Sequence, residues 1–161
     1  MKLRFARLLL AAGSLLLAGC NFDSPLTAKP TRNIDPRLLG DWVLVDKDTG
    51  KSETMQVRQL DKTTYVAALD GDLYSAFHSD FGGLPFLSVQ DLNSAERFYL
   101  FLTASVSADG RQLTIRTVNL KVIPEKTKGR GALQKLIKAN LANPALLEDP
   151  LVFNRPPAVT P

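Results

Sequence analysis

Between Met55 and Val122 apolar and polar residues alternate with a period of two, and turn-forming pairs interrupt the alternation at short intervals. A chain patterned in this way puts one row of side chains on each face of a pleated strand, so it folds as antiparallel strands with a buried face. The longest run is Phe98 to Val106. Phe98, Leu100, Leu102, Ala104 and Val106 share one face, and Tyr99, Phe101, Thr103 and Ser105 share the other, which predicts the centre of the sheet. Further strands are expected around Met55 and Val57, and over Trp42–Val45, Thr64–Leu69, Leu73–His78, Phe86–Val89 and Gln112–Val122, making seven in series. Asp70-Gly71 suits the left-handed dihedrals of a tight hairpin turn. Asp109-Gly110 and Thr49-Gly50 repeat that signal, Asp61-Lys62 is a weaker version, and Gly82-Gly83 gives a looser corner. Short connections of this kind pair strands that are neighbours in sequence, so an up-and-down meander is expected.

Two features follow the meander. In the last long strand Leu113 and Ile115 occupy odd positions but Val118, Leu120 and Val122 even ones, and a bulge near Arg116-Thr117 would restore a single apolar face. After Pro124, Leu133, Leu136, Ile137 and Leu141 recur at helical spacing with Gln134, Lys135 and Lys138 opposite, which predicts one amphipathic helix over Ala132 to Asn140, ended by Asn143-Pro144. The triplet Leu151-Val152-Phe153 reads as a returning edge strand. The fold class is therefore mainly β: an antiparallel up-and-down sheet or small barrel with one C-terminal helix.

The first 20 residues, MKLRFARLLLAAGSLLLAGC, have the form of a secretory signal: three positive charges, an apolar run from Leu8 to Ala18, then Gly19-Cys20. The run is shorter than the ~20 apolar residues that a membrane-crossing helix needs. Leu17-Ala18-Gly19-Cys20 resembles the lipobox of bacterial lipoproteins. That resemblance implies acylation of the Cys20 thiol, cleavage before it, and attachment to a membrane through the lipid. Asn21 stands where an Asp would mark inner-membrane retention in such proteins, so the resemblance implies sorting to the outer membrane, facing the periplasm. The organisation expected is a signal peptide over residues 1–19, a lipidated tether over 20–36 punctuated by Pro25, Pro30 and Pro36, a β-rich domain over 37–155, and a disordered tail over 156–161.

Composition removes several function classes. The formal net charge of +4 includes Lys2, Arg4 and Arg7 of the signal; without them 17 basic side chains face 16 acidic ones, so a nucleic-acid partner is not expected. One Cys excludes an intramolecular disulfide, and one Cys with one His excludes a zinc cluster of the Cys/His kind. His78 lies in Phe77-His78-Ser79-Asp80-Phe81, but residues adjacent in sequence do not supply a nucleophile–base geometry, and the mature chain has no G-x-S-x-G elbow. The carboxylates Asp46, Asp48, Asp61, Asp70, Asp72 and Asp109 punctuate turns without the alternate ligands of a calcium loop. Gly129-Arg130-Gly131 lacks the strand and the Lys-Ser/Thr pair of a phosphate loop. No catalytic residue, metal site or cofactor is expected. The densest charge is basic: Lys121, Lys126, Lys128, Arg130, Lys135 and Lys138, relieved by Glu125.

Leu39-Gly40-Asp41-Trp42-Val43-Leu44-Val45 resembles the G-x-W opening of lipocalins and their relatives. The resemblance implies an eight-stranded barrel whose base is closed by Trp42, a following helix, a late arginine packing on the tryptophan, for which Arg155 is the candidate, and fatty or lysophospholipid ligands. Two non-enzymatic readings follow. In one, the barrel binds a lipid-like or small hydrophobic ligand, with Ala67, Ala76 and Ala104 leaving room inside. In the other, the interior is filled and the protein meets an envelope protein partner through its basic helix or a sheet edge.

Overall fold

The computed structural model describes residues 22–46 and 49–157. Cys20, with the signal segment before it and Asn21 after it, lies outside the described residues, as does the end of the tail from residue 158. Eight antiparallel strands run as β1 (Gly40–Val45), β2 (Ser52–Gln59), β3 (Thr64–Leu69), β4 (Asp72–His78), β5 (Phe86–Asp91), β6 (Tyr99–Val106), β7 (Gln112–Thr117) and β8 (Leu151–Asn154). Each pairs with the next, and β8 pairs with β1 through Val43 and Asn154, so the sheet closes into a barrel. The expected meander is present in full. The β3–β4 hairpin is the tightest joint: Leu69 pairs with Asp72, and Asp70 and Gly71 carry the turn at φ 51° and 90°. Both central residues are left-handed, as the Asp-Gly pair favours.

The register assigns every strand an inner and an outer row. Trp42 faces Met55, Val57 faces Ala67, Tyr65 faces Ala76, Val89 faces Leu100, Ala104 faces Ile115 and Leu113 faces Phe153, and all of these point inward. Leu151–Phe153 is not an edge. It carries the strand that completes the barrel, with β7 on one side and β1 on the other. Closure satisfies the backbone groups that an open edge would leave bare.

The change of parity after Ile115 has a different cause from the bulge expected. β7 ends at Thr117, and Val118 turns away to join a second apolar cluster on the outside of the barrel. That outer core lies against Phe86 of β5 and Phe101 of β6 and is completed by Val118, Ile123, Leu146 and the helix α1 (Arg130–Ala139), which buries Leu133 and Ile137. The helix falls where the periodicity placed it.

Residues 22–36 differ from the expected tether. Phe22 and Leu26 are fully buried in the outer core, Phe22 exchanges backbone hydrogen bonds with Tyr99 (3.1 and 2.9 Å), and Leu26 N donates to the buried Ser88 hydroxyl at 3.1 Å. Asp23 accepts a bond from the Gly129 N–H at the start of α1, which, ahead of its other contacts, holds its carboxyl below the usual range. Arg130 and Gln134 reach back to the carbonyls of Pro25 and Leu26. The prolines prevent regular structure but not packing, and two well-spaced apolar side chains suffice to bind the segment to the barrel. The packed unit therefore begins at Phe22, well before Arg37.

Candidate functional site

The strands alternate direction, so the barrel has two distinct ends. One carries the β2–β3, β4–β5 and β6–β7 connections. Residues 35–38 cross it: Pro36–Leu38 form a 3-10 turn, the Trp42 indole N–H donates to the Leu38 carbonyl at 2.9 Å, and the Leu38 side chain points into the barrel. Arg155 lies over the Trp42 ring, 4.2 Å from its centroid, and donates to the carbonyls of Gly110 and Arg37. Arg155 is thus the arginine that packs on the tryptophan. Gly40 is held at φ 126°, where a side chain would be strained and its Cβ would collide with the Arg155 guanidinium. The glycine, tryptophan and arginine form one device that seals this end.

The same end contains the one histidine. His78 is buried, its Nε2 is 2.8 Å from the Tyr65 hydroxyl, and that hydroxyl accepts the Asp35 backbone N–H. The hydroxyl and Nε2 share one hydrogen bond, whose donor is set by the imidazole tautomer, and Nδ1 has no hydrogen-bond partner among the described residues. Burial, helped by nearby Arg32, pushes the His78 pKa down and keeps the ring neutral. Its neighbour Ser79 hydrogen-bonds to Thr27 and to Ser88, which lies on the outer face of β5. The structure does not bring His78 and Ser79 together. His78 and Tyr65 instead fasten the plug segment to the barrel.

Between the plug and the opposite end lies a cavity of about 110 Å3. Its wall is made of inward residues from β2 to β8, among them Met55, Leu69, Tyr74, Leu102 and Ile115, and Ala67, Ala76 and Ala104 all lie on it. Methyl side chains at those three positions, where neighbours carry Leu, Val or Phe, leave space that the remaining side chains do not fill. Thr117, Tyr65 and Tyr74 are the hydroxyl-bearing residues of the lining, but the surface that faces the hollow is almost wholly apolar. The Tyr65 hydroxyl is already engaged with Asp35 and His78. Burial, with Asp72 and Asp91 adding to it, pushes the Tyr74 pKa far up, so its phenol stays neutral. No charged side chain lines the cavity.

Leu38, from the plug, is the one lining residue outside the strands. Among the described residues the connections at the opposite end contribute none; the plug closes the first end, and the cavity faces the other, where Leu69, Thr117 and Leu151 border it. Apolar cavities of ~150 Å3 bind benzene, so a hollow of about 110 Å3 is on the scale of a single small apolar group.

Asp61, Asp70, Asp72 and Asp109 sit at exposed turns. Asp61 and Asp109 accept hydrogen bonds from their own turn residues, which lower both carboxyls. Among the described residues no three His, Cys, Asp or Glu side chains are grouped to hold a metal ion. Lys121, Lys126, Lys128, Lys135 and Lys138 are exposed, whereas Arg130 is half-buried against Pro25. No described helix is long and apolar enough to cross a membrane. The chain matches no protein-family model, and comparison with curated proteins and with solved structures finds no match.

Proposed function

We propose that this chain is a lipid-anchored outer-membrane lipoprotein, attached through Cys20 and facing the periplasm, whose barrel binds a lipid-like or small hydrophobic ligand without catalysing a reaction on it. The observation that carries the reading is the cavity: an uncharged hollow of about 110 Å3 in the middle of an otherwise well-packed barrel. Interiors of natural proteins are packed to crystal-like density, and an eight-stranded barrel is just wide enough for side chains to fill. Small side chains kept at three facing positions sacrifice packing that Leu or Phe would restore, and a ligand-binding role accounts for that sacrifice. The lipobox-like Leu17-Ala18-Gly19-Cys20 supports the anchor, and the Gly40, Trp42 and Arg155 seal is in keeping with the lipocalin resemblance.

The volume limits the ligand. It admits part of an acyl chain, with the remainder and any headgroup outside the mouth, or a compact apolar molecule held whole. Native mass spectrometry of protein extracted without detergent should show a co-purified mass, and fatty acids or lysophospholipids should raise the melting temperature by mass action. Ala104→Leu, which narrows the cavity, should abolish both effects. An unliganded mass together with an unmoved melting temperature across a broad lipid panel would sink the binding reading and leave the envelope-partner reading in its place.

A further inference from the structure

We infer that the barrel stands with its cavity mouth against the bilayer that anchors it. The inference rests on the anchoring at Cys20 proposed above and adds an orientation to it. Its occupant is a phospholipid surface with anionic headgroups.

The anchor has little freedom. Cys20 precedes Phe22 by two residues, so it lies within about 7 Å of Phe22 even when the chain is fully extended. Phe22 itself is fixed: it is 1% exposed, its ring centroid is 4.9 Å from that of Phe101, and its backbone is paired with Tyr99. Tyr99 opens β6 at the mouth end, since it pairs with Gln90 next to Asp91, and Asp91 pairs with Tyr74 near the β3–β4 turn. From Phe22 the chain runs down the outside of the barrel, past Ser88, to Thr31, whose N–H bonds the His78 carbonyl at the plug end. The lipid therefore leaves the molecule beside the mouth. An extended tether would let the barrel tumble, but this short connection does not.

Charge of both signs lines the rim. Asp70 and Asp72 lie at the β3–β4 turn and Asp91 at the end of β5. The chain emerges across β6 from Asp91, beside the connection from Val118 to Gly129, which holds Lys121, Lys126 and Lys128 against Glu125. Lys128 lies near enough to Asp23 to lower its carboxyl, which ties this basic stretch to the point of exit. None of the three lysines is in an ion pair among the described residues. Anionic headgroups attract such a basic juxtamembrane stretch. Leu73 and Leu92 lie exposed on the rim, 46% and 41%, joined by a hydrogen bond from Leu92 N to the Leu73 carbonyl, and water solvates this apolar pair poorly. In this posture an apolar ligand passes between bilayer and cavity with minimal exposure to water.

The acylated mature chain in vesicles of phosphatidylethanolamine and phosphatidylglycerol provides the test. Cys20 is the one cysteine and its thiol carries the lipid, so Leu92→Cys and Lys128→Cys at the mouth end, or Lys62→Cys and Ala108→Cys at the plug end, each introduce a single site for a fluorophore. With headgroup-quencher lipids in the vesicles, the labels at 92 and 128 should be quenched several-fold more than those at 62 and 108. Lys126→Glu should reduce the quenching at 92. Equal quenching at both ends, or stronger quenching at the plug end, overturns the orientation alone. A chain that neither floats with vesicles nor carries acyl mass overturns the anchor, and the orientation with it. The readout does not depend on an occupied cavity.

Discussion

The two apolar cores of this protein are assembled from the same residue types and reach opposite states of packing. On the outside, Phe22, Leu26, Phe86, Phe101, Ile123, Leu133 and Ile137 are all within 1% of full burial. On the inside, Ala67, Leu69, Leu102, Ala104, Ile115 and Leu151 stay partly exposed around a hollow. The outer core joins a sheet face to a helix and two irregular segments, and those pieces can shift until the gaps close. The inner core is bounded by a ring of hydrogen-bonded strands whose circumference is set by strand number and stagger, so it cannot contract around small side chains. The comparison assigns the two cores different work. The outer one holds the N-terminal segment, α1 and the barrel together; the inner one gives up packing and encloses a hollow.

The comparison can be broken most decisively from outside. Ile137→Asp would bury a carboxylate with no partner in the tightest part of the outer core, and a loss of about 4 kcal/mol or more is expected, read by urea unfolding. Leu136, half-buried on the same helix, should tolerate Asp far better. Inside the barrel, Leu102→Ala only enlarges a hollow that exists already. It should cost ~2 kcal/mol, near the bottom of the range for buried leucines, and should admit bulkier ligands in a thermal-shift panel. If Leu102→Ala proves as damaging as an outer-core truncation, the inner core is not the looser of the two.

His78 gives a smaller effect, specific to the plug end. Its pKa is depressed in the folded protein, so the unfolded chain takes up a proton first as pH falls below the ordinary value of 6.5. The stability it contributes is therefore complete above pH 6.5 and is lost as pH falls from there toward the folded value. The melting temperature should decline over that window, and His78→Gln, which retains an acceptor for the Tyr65 hydroxyl, should flatten the decline. The smallest expected change in stability is that of Ala104→Leu, under ~1 kcal/mol in either direction, because the added atoms enter open space. Its effect on ligand uptake should nonetheless be complete.

Much of this was legible from one dimension. The Asp70-Gly71 hairpin, the row from Leu100 to Val106, the helix built on Leu133 and Ile137, and the small residues at 67, 76 and 104 all follow from local rules: dihedral preference, strand or helix period, and side-chain volume. The alternation also placed Tyr99 and Phe101 together on the other face of Phe98–Val106, which is the outer one. What covers it was not legible. Phe22 meets Phe101 across 79 positions of sequence, and Asp23 accepts the N–H of Gly129, just before α1, across 106. Neither partner has a pattern that names the other. The parity change at Val118 was visible but ambiguous, since a bulge inside a strand and an exit from the barrel leave the same trace in a period-two pattern.

The sequence by itself determined the order and the inner face of the strands, because both are settled by neighbours a few residues apart. Closure of the barrel by Leu151–Asn154, the burial of residues 22–36, the seal of Arg155 on Trp42, and the existence of a hollow were decided only in three dimensions. All four depend on how far around the ring the sheet can curl and on what volume remains once it has closed. That is a property of the whole circumference, to which each residue contributes and which none of them specifies.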